Sequence, residues 1–174
     1  RETGRDAWVS WSYPYAACLY ARLGEGDNAW KNLHELARKN TVNNLLIWYP
    51  LAYRLFQIEA NFGATAAVAE MLVQSHEGFI RLLPALPTQW PTGHYRGLKA
   101  RGAFAVDCSW KDGQVVEAAI TSLNGTPCKL RNSRPWKSLK VTSNGKNVDH
   151  TVDAGTGTIG FATRVGTSYK LAFE

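Results

Sequence analysis

The sequence predicts an α+β protein in two parts, helices over about residues 1–90 and a small antiparallel β-sandwich over 91–174. Three observations carry this. Before residue 80 the apolar side chains fall at helical spacing, most clearly Ala64, Ala67, Val68, Met71 and Leu72, which follow i, i+3, i+4, i+7, i+8. From Phe104 the period becomes two: Phe104, Val106, Cys108 and Trp110 alternate with Ala105, Asp107 and Ser109. Between the two regimes lies a proline-rich crossing, Leu82-Leu83-Pro84-Ala85-Leu86-Pro87 and then Trp90-Pro91, which marks the domain boundary.

Taken in order, residues 6–23 read as a helix with Trp8, Trp11, Tyr15, Leu19 and Leu23 along one side and Asp6 as cap. Pro14 would kink that helix unless it starts nearer Ser12, where a proline in the first turn does no harm. Gly24-Glu25-Gly26 ends it. A second helix follows from Ala29 to about Lys39, capped by Asp27-Asn28, with Trp30, Leu33, Leu36 and Ala37 inward. Residues 40–54, with Asn43-Asn44 and Trp48-Tyr49-Pro50, have no sustained period and read as a long loop with one short helical turn; such loops often serve function. A third helix runs from Ala64 to His76, with Asn61 as N-cap and Gly78 as stop. Beyond the crossing, turns at Asp112-Gly113, Asn124-Gly125 and Asn144-Gly145 separate about seven short strands.

Composition narrows the function. Apolar residues make up 45% and charged residues 20% of 174, ordinary values for a globular chain with a core. Seven Trp and seven Tyr are many for this length, which suits stacking on sugar rings as well as filling a core. The net charge of +6 is scattered, with no basic run and no nucleic-acid motif, so a nucleic-acid partner is not expected. Cys18, Cys108 and Cys128 form no metal-ligand spacing and, being odd in number, no disulfide framework, although Cys108 and Cys128 could pair. His34, His76, His94 and His150 also lack metal spacing. There is no dinucleotide or phosphate-loop fingerprint and no serine nucleophile elbow, so neither a cofactor nor a metal is expected. No signal peptide or membrane-spanning stretch is read, and no membrane partner is expected.

Phe56-Gln57-Ile58-Glu59-Ala60-Asn61-Phe62-Gly63, then the run from Ala69 through Gln74-Ser75-His76 to Pro91-Thr92-Gly93, then Gly97-Leu98-Lys99-Ala100-Arg101-Gly102-Ala103-Phe104, resemble the carboxy-terminal region of glycoside hydrolase family 95. That family holds α-L-fucosidases and some α-L-galactosidases. The resemblance is continuous to about Trp110 and weaker beyond. It implies that residues 1–90 are the last helices of an (α/α)6 catalytic barrel and residues 91–174 an accessory sandwich. It also implies an oligosaccharide or glycoconjugate substrate and an exported protein, secreted or periplasmic. The chain opens at Arg1-Glu2-Thr3-Gly4 without a methionine, and is read as a fragment whose partner is the missing amino-terminal part of the same polypeptide.

Inverting hydrolysis of a glycosidic bond needs an acid at the leaving oxygen and a base that activates water, roughly 6.5–9.5 Å apart. The resemblance implies that Glu59 stands on the base side, together with an asparagine from an earlier part of the chain. Many members have Asp there, so Glu59 reaches one methylene further. Glu59 lies near the positive end of a helix dipole, which favours its ionised form and hence a base rather than an acid. From the residues alone it also reads as a carboxylate that merely satisfies a helix start, the commoner role. Asn61 would bind sugar hydroxyls or orient Glu59. Trp11 sits where the family shows Gly-Trp-Ser, here with Ser10 for the glycine and with Cys18 for a usual Asn; it walls the pocket or fills core. Trp48 is likewise a pocket wall or a loop anchor, and His76 a ligand or a helix-end cap. The family's general acid is a glutamate with no counterpart here, since neither Glu70 nor Glu77 fits its motif. The isolated chain is therefore expected to be inactive. A carbohydrate-binding or structural module without catalysis is the alternative, and a surface row of aromatics on the sandwich would favour it.

Overall fold

The computed structural model describes residues 8–49, 55–133 and 139–173. It is an α+β chain of two compact units, residues 1–71 with 85–87, and residues 72–84 with 88–174.

The first unit holds three helices, α1 (Ser12–Arg22), α2 (Gly26–Asn40) and α3 (Ile58–Leu72). The start of α1 at Ser12 puts Pro14 in the first turn, where its missing N–H would have had no partner. The expected cap Asp6 lies outside the described residues. The buried face of α1 is the reverse of the expected one. Tyr13, Pro14, Ala17 and Ala21 are enclosed, while Trp11, Tyr15, Leu19 and Leu23, spaced four apart, are exposed. Ala17 and Ala21 on α1 and Ala29 on α2 are fully buried, small side chains of the kind that let helices pack closely.

Helix α2 starts three residues before the expected Ala29. Its N-cap is Glu25, with Asn28 Nδ2 donating to Glu25 Oε2 at 2.6 Å, so Asp27 is in the first turn rather than at the cap. Its buried residues are Gly26, Ala29, Asn32, Leu36 and Asn40. Ala37, expected inward, is exposed, and Trp30 is half-buried and stacked on His34 with ring centroids 4.9 Å apart. Gly26 permits a close approach, because a Cβ there would meet the Ala85 carbonyl oxygen at 2.5 Å and the Leu86 carbonyl carbon at 2.7 Å. Residues 85–87 return to this unit through the Ala85 N–H, which donates to Met71 O at 3.2 Å.

Helix α3 begins before the expected Ala64 and ends before His76. Its stripe buries Ala60, Ala67 and Met71 fully. One residue into the second unit, β-branched Val73 leaves the helix and pairs with Leu82.

That unit has eleven strands among the described residues. They are β1 (Val73–Gln74), β2 (Ile80–Leu82), β3 (Gly93–Ala100), β4 (Phe104–Lys111), β5 (Gln114–Ser122), β6 (Cys128–Asn132), β7 (Leu139–Ser143), β8 (Lys146–Asn147), β9 (Thr151–Asp153), β10 (Thr158–Phe161) and β11 (Ser168–Phe173). One sheet runs β1-β2-β6-β10-β9 and the other β3-β4-β5-β11-β7-β8. Pairing is antiparallel except between β2 and β6. Sheet pairing therefore starts at Val73, upstream of the proline-rich crossing. Two of the three turns read from sequence form as two-residue hairpins, Asp112-Gly113 at φ 52° and 71° and Asn144-Gly145 at 49° and 76°, the doubly positive pair such a turn requires, while Asn124-Gly125 lies in the longer passage from β5 to β6, which belong to different sheets.

Phe104, Val106, Cys108 and Trp110 share the buried face of β4, as their alternation predicts. Gly93 leaves room for the Trp110 ring, whose Nε1 donates to Trp90 O at 2.8 Å. Leu130 and Ile159 of one sheet and Val106, Ile120 and Leu171 of the other are completely buried. The rings of Phe161 on β10 and Tyr169 on β11 meet at 5.2 Å, one from each sheet. Cys108 and Cys128 are both buried free thiols, so the pairing left open from sequence is not made.

Candidate active site

Three segments far apart in sequence converge in the first unit. The Ser10 hydroxyl, fully buried, donates to the Trp48 carbonyl. Trp48 forms an isolated antiparallel bridge with Phe56, and the Gln57 N–H donates to Ile47 O at 2.9 Å. The stretch that carries Glu59 is thus tied to the 41–49 loop, and that loop to the residue preceding Trp11.

The loop is a β-bridged turn rather than the expected helical one. Thr41 bridges to Ile47, Val42 N donates to Leu46 O at 3.0 Å, and Leu45 holds φ 65°. A leucine in the left-handed region costs about 1–2 kcal/mol and persists only where its surroundings fix it. Asn61 supplies that constraint. Its Oδ1 accepts from Ile47 N at 3.0 Å and its Nδ2 donates to Leu45 O at 3.0 Å. Asn61 lies inside α3 and is not its cap. Beneath this floor pack Tyr13, Leu36, Ile47 and Ala60, with Trp8 and Ala64 against them.

Glu59 is in the first turn of α3, with an exposed side chain. Gly63, one turn on, sits against Pro14: a Cβ there would lie 3.1 Å from the Pro14 Cβ and Cγ. This contact sets the start of α3 against the start of α1. Trp11 is the N-cap residue of α1, 46% exposed, with its ring 6.4 Å from Tyr15. Trp48 is half-buried, its Nε1 enclosed with no hydrogen-bond partner among the described residues.

His76 belongs to the second unit, in the turn between β1 and β2, four residues past the end of α3. It therefore does not cap the helix. Its Nδ1 is enclosed without a hydrogen-bond partner among the described residues. The other acidic residues of this region are engaged. Glu70 accepts from two of the three guanidinium nitrogens of Arg22, Nε at 2.5 Å and Nη2 at 2.7 Å, and Glu77 pairs with Arg81 at 2.6 Å. Burial, then the Glu70 carboxylate, raise the neighbouring Cys18 thiol above its usual pKa. Among the described residues no three His, Cys, Asp or Glu side chains cluster as metal ligands, and no helix is long and apolar enough to cross a membrane.

Sequence reasoning missed Ser10, Ile47 and Leu45 as parts of this construction. Ser10 was legible only as a departure from a family motif. The Asn61 tether spans 14 and 16 residues and leaves no periodic trace.

Residues 1–72 match the catalytic domain of glycosyl hydrolase family 95, and residues 74–171 match the C-terminal domain of the same family. The chain belongs to glycoside hydrolase family 95. It is 41% identical over 120 residues to alpha-L-fucosidase 2 of Arabidopsis thaliana, a match covering 64% of this chain and 14% of that protein. It is also similar to probable alpha-fucosidase A of Aspergillus niger, at 29% identity over 71% of this chain and 17% of the relative. The Aspergillus oryzae protein of the same name is 32% identical over 71% of this chain and 19% of its own length. The chain thus spans 14–19% of the curated relatives it matches.

Proposed function

We propose that this chain is the end of the catalytic barrel, together with the following sandwich domain, of an exo-glycosidase that removes α-linked L-fucose, or L-galactose, from glycans with inversion. Glu59 stands on the general-base side. The observation that carries the reading is an exposed carboxylate in the first turn of α3, on a stretch tied to the loop of Trp48 and, through Ser10, to the neighbour of Trp11. In the reaction the ionised carboxylate takes a proton from water as that water attacks the anomeric carbon. A glutamate from another part of the barrel protonates the departing oxygen. Asn61 holds the loop that carries Trp48, and Trp11 and Trp48 contact the sugar.

The exposed row Trp11, Tyr15, Leu19 and Leu23 supports the rest of this account: such a face on α1 suits packing against further helices of the same polypeptide. The 174-residue chain by itself lacks the acid and has no activity, and the longer protein is exported. On β3, β4, β10 and β11, Tyr95, Phe104, Trp110, Phe161 and Tyr169 lie in the core, each at most 8% exposed, and Phe173 is half-buried. That favours a structural role for the sandwich over an aromatic sugar-binding platform. The test is hydrolysis of aryl α-L-fucoside and aryl α-L-galactoside by the longer polypeptide carrying Glu59→Gln, with circular dichroism as the control for folding. Turnover by the 174-residue chain alone would refute the claim that it is inactive.

A further inference from the structure

The outer face of the five-stranded sheet carries a second constellation, in an open cleft of about 520 Å³ within the second unit. Its centre is a gap. Gly160 on β10 is flanked in register by Lys129 on β6 and Thr151 on β9, so the middle of three adjacent strands presents no side chain. Strands lie ~4.8 Å apart, and Thr151 Oγ1 leans in to 3.0 Å from where a Cβ on Gly160 would sit, so the notch is open on the Lys129 side only. Thr151 Oγ1 donates to Gly160 O at 3.3 Å and forms one wall.

Above the notch Arg131 is held rigidly. Its Nε and Nη2 donate to Thr158 Oγ1 at 3.1 and 2.9 Å, and its guanidinium lies over the Phe79 ring at 4.1 Å. A guanidinium fixed by stacking and hydrogen bonds loses little entropy on binding a partner. The charges are unevenly used. Arg81 is paired with Glu77 at 2.6 Å, and Asp153, whose Oδ1 accepts the Thr156 N–H at 2.8 Å, also lines the cleft and shares the field of Arg131. Lys129 has no ion pair with any described residue. The cleft therefore offers an uncommitted ammonium and a preorganised guanidinium beside threonine hydroxyls, around a hollow in the sheet.

We propose that this cleft is a binding site for an acidic saccharide, its carboxylate or sulfate group meeting Lys129 and Arg131 and its ring seated over Gly160. Anion recognition by a fixed Arg and a Lys, with hydroxyls for the remaining oxygens, is the chemistry of the pairing. The choice of a saccharide rests on the proposed function, that of a glycan-processing enzyme. The binding itself does not depend on catalysis.

The test is titration calorimetry of the full chain with an oligogalacturonide, its fully methyl-esterified form and a sulfated oligosaccharide. The expected result is binding of the acidic form that weakens as salt rises and is at least tenfold weaker for the neutral ester. Lys129→Ala, at an exposed position that leaves the core untouched, and Gly160→Val, which fills the notch, should each weaken binding about tenfold or more. Lys170→Ala on the other sheet should change nothing. Comparison of the carboxylated and sulfated ligands identifies the anionic group. No binding, equal binding of the ester, or equal loss in Lys170→Ala would overturn the proposal. If fucosidase activity fails its own test while this pattern holds, the fault lies with the enzymatic reading and not with the site.

Discussion

Replacing Asn61 with Ala should loosen the 41–49 loop more than it harms the helix that carries it. The side chain makes two hydrogen bonds, to Ile47 N and Leu45 O, both at 3.0 Å. At about 0.5–1.5 kcal/mol net for each bond, their loss amounts to roughly 1–3 kcal/mol. Ile47 is only 4% exposed, so its N–H does not regain a water easily, which argues for the upper half of that range. Against this, Leu45 at φ 65° can relax once the tether is gone, recovering about 1 kcal/mol. The net expectation is about 1–2 kcal/mol. Asn61→Asp should cost a similar amount, because an ionised carboxylate keeps the acceptor for Ile47 but sets oxygen against the Leu45 carbonyl. The assay is hydrogen exchange at the Ile47 amide beside thermal melting. Exchange should quicken about tenfold for each 1.4 kcal/mol of local stability lost. Unchanged Ile47 protection in both variants would refute the idea that Asn61 holds the loop.

Gly26→Ala should destabilise the first unit by about 1–3 kcal/mol despite the better helix propensity of alanine. The new Cβ meets backbone atoms of Ala85 and Leu86 that cannot rotate away, and chemical denaturation would measure the loss. Burial pushes the Cys108 and Cys128 thiols up to about 12, so a thiol-disulfide reagent at pH 8 should modify neither in the folded chain and both in denaturant. Because these raised values keep protons on the folded state that the unfolded chain releases near pH 9, stability should fall as pH rises above 9. Glu35 behaves in the opposite sense. Lys39, then Arg38, hold its carboxyl down to about 2. Its contribution is present above the unfolded value of about 4.5 and disappears as pH falls toward 2, a small effect for an exposed group that Glu35→Gln would remove.

The legible parts of the chain were those fixed by local chemistry. Asp112-Gly113 and Asn144-Gly145 specify their turns because both residues must take positive φ. The β4 face could be read because alternation alone decides which side of a strand is buried. Helix α1 misled for a physical reason. Its large side chains drew attention to the face of Trp11 and Leu19, but half of the residues it buries are alanines, Ala17 and Ala21, whose weak hydrophobic signal hides the buried face. The bounds of α3 shifted because Val73 and Gln74 gain more from pairing with Leu82 and Arg81 than from another helical turn, a long-range choice. Within the candidate site, the position of Glu59 near a helix start could be read from sequence. The Ser10, Trp48 and Asn61 ties could not, since hydrogen bonds to backbone atoms of another segment impose no pattern on either sequence.

The central claim is that the Glu59 carboxylate activates water. The direct measurement is kcat for aryl α-L-fucoside hydrolysis by the longer polypeptide, wild type against Glu59→Gln, with the circular dichroism spectrum and melting temperature held as controls. This account predicts a fall of about 10²-fold or more in kcat with the fold intact. A variant that turns over substrate at close to the wild-type rate would contradict it, and would leave Glu59 as a carboxylate that satisfies the start of α3.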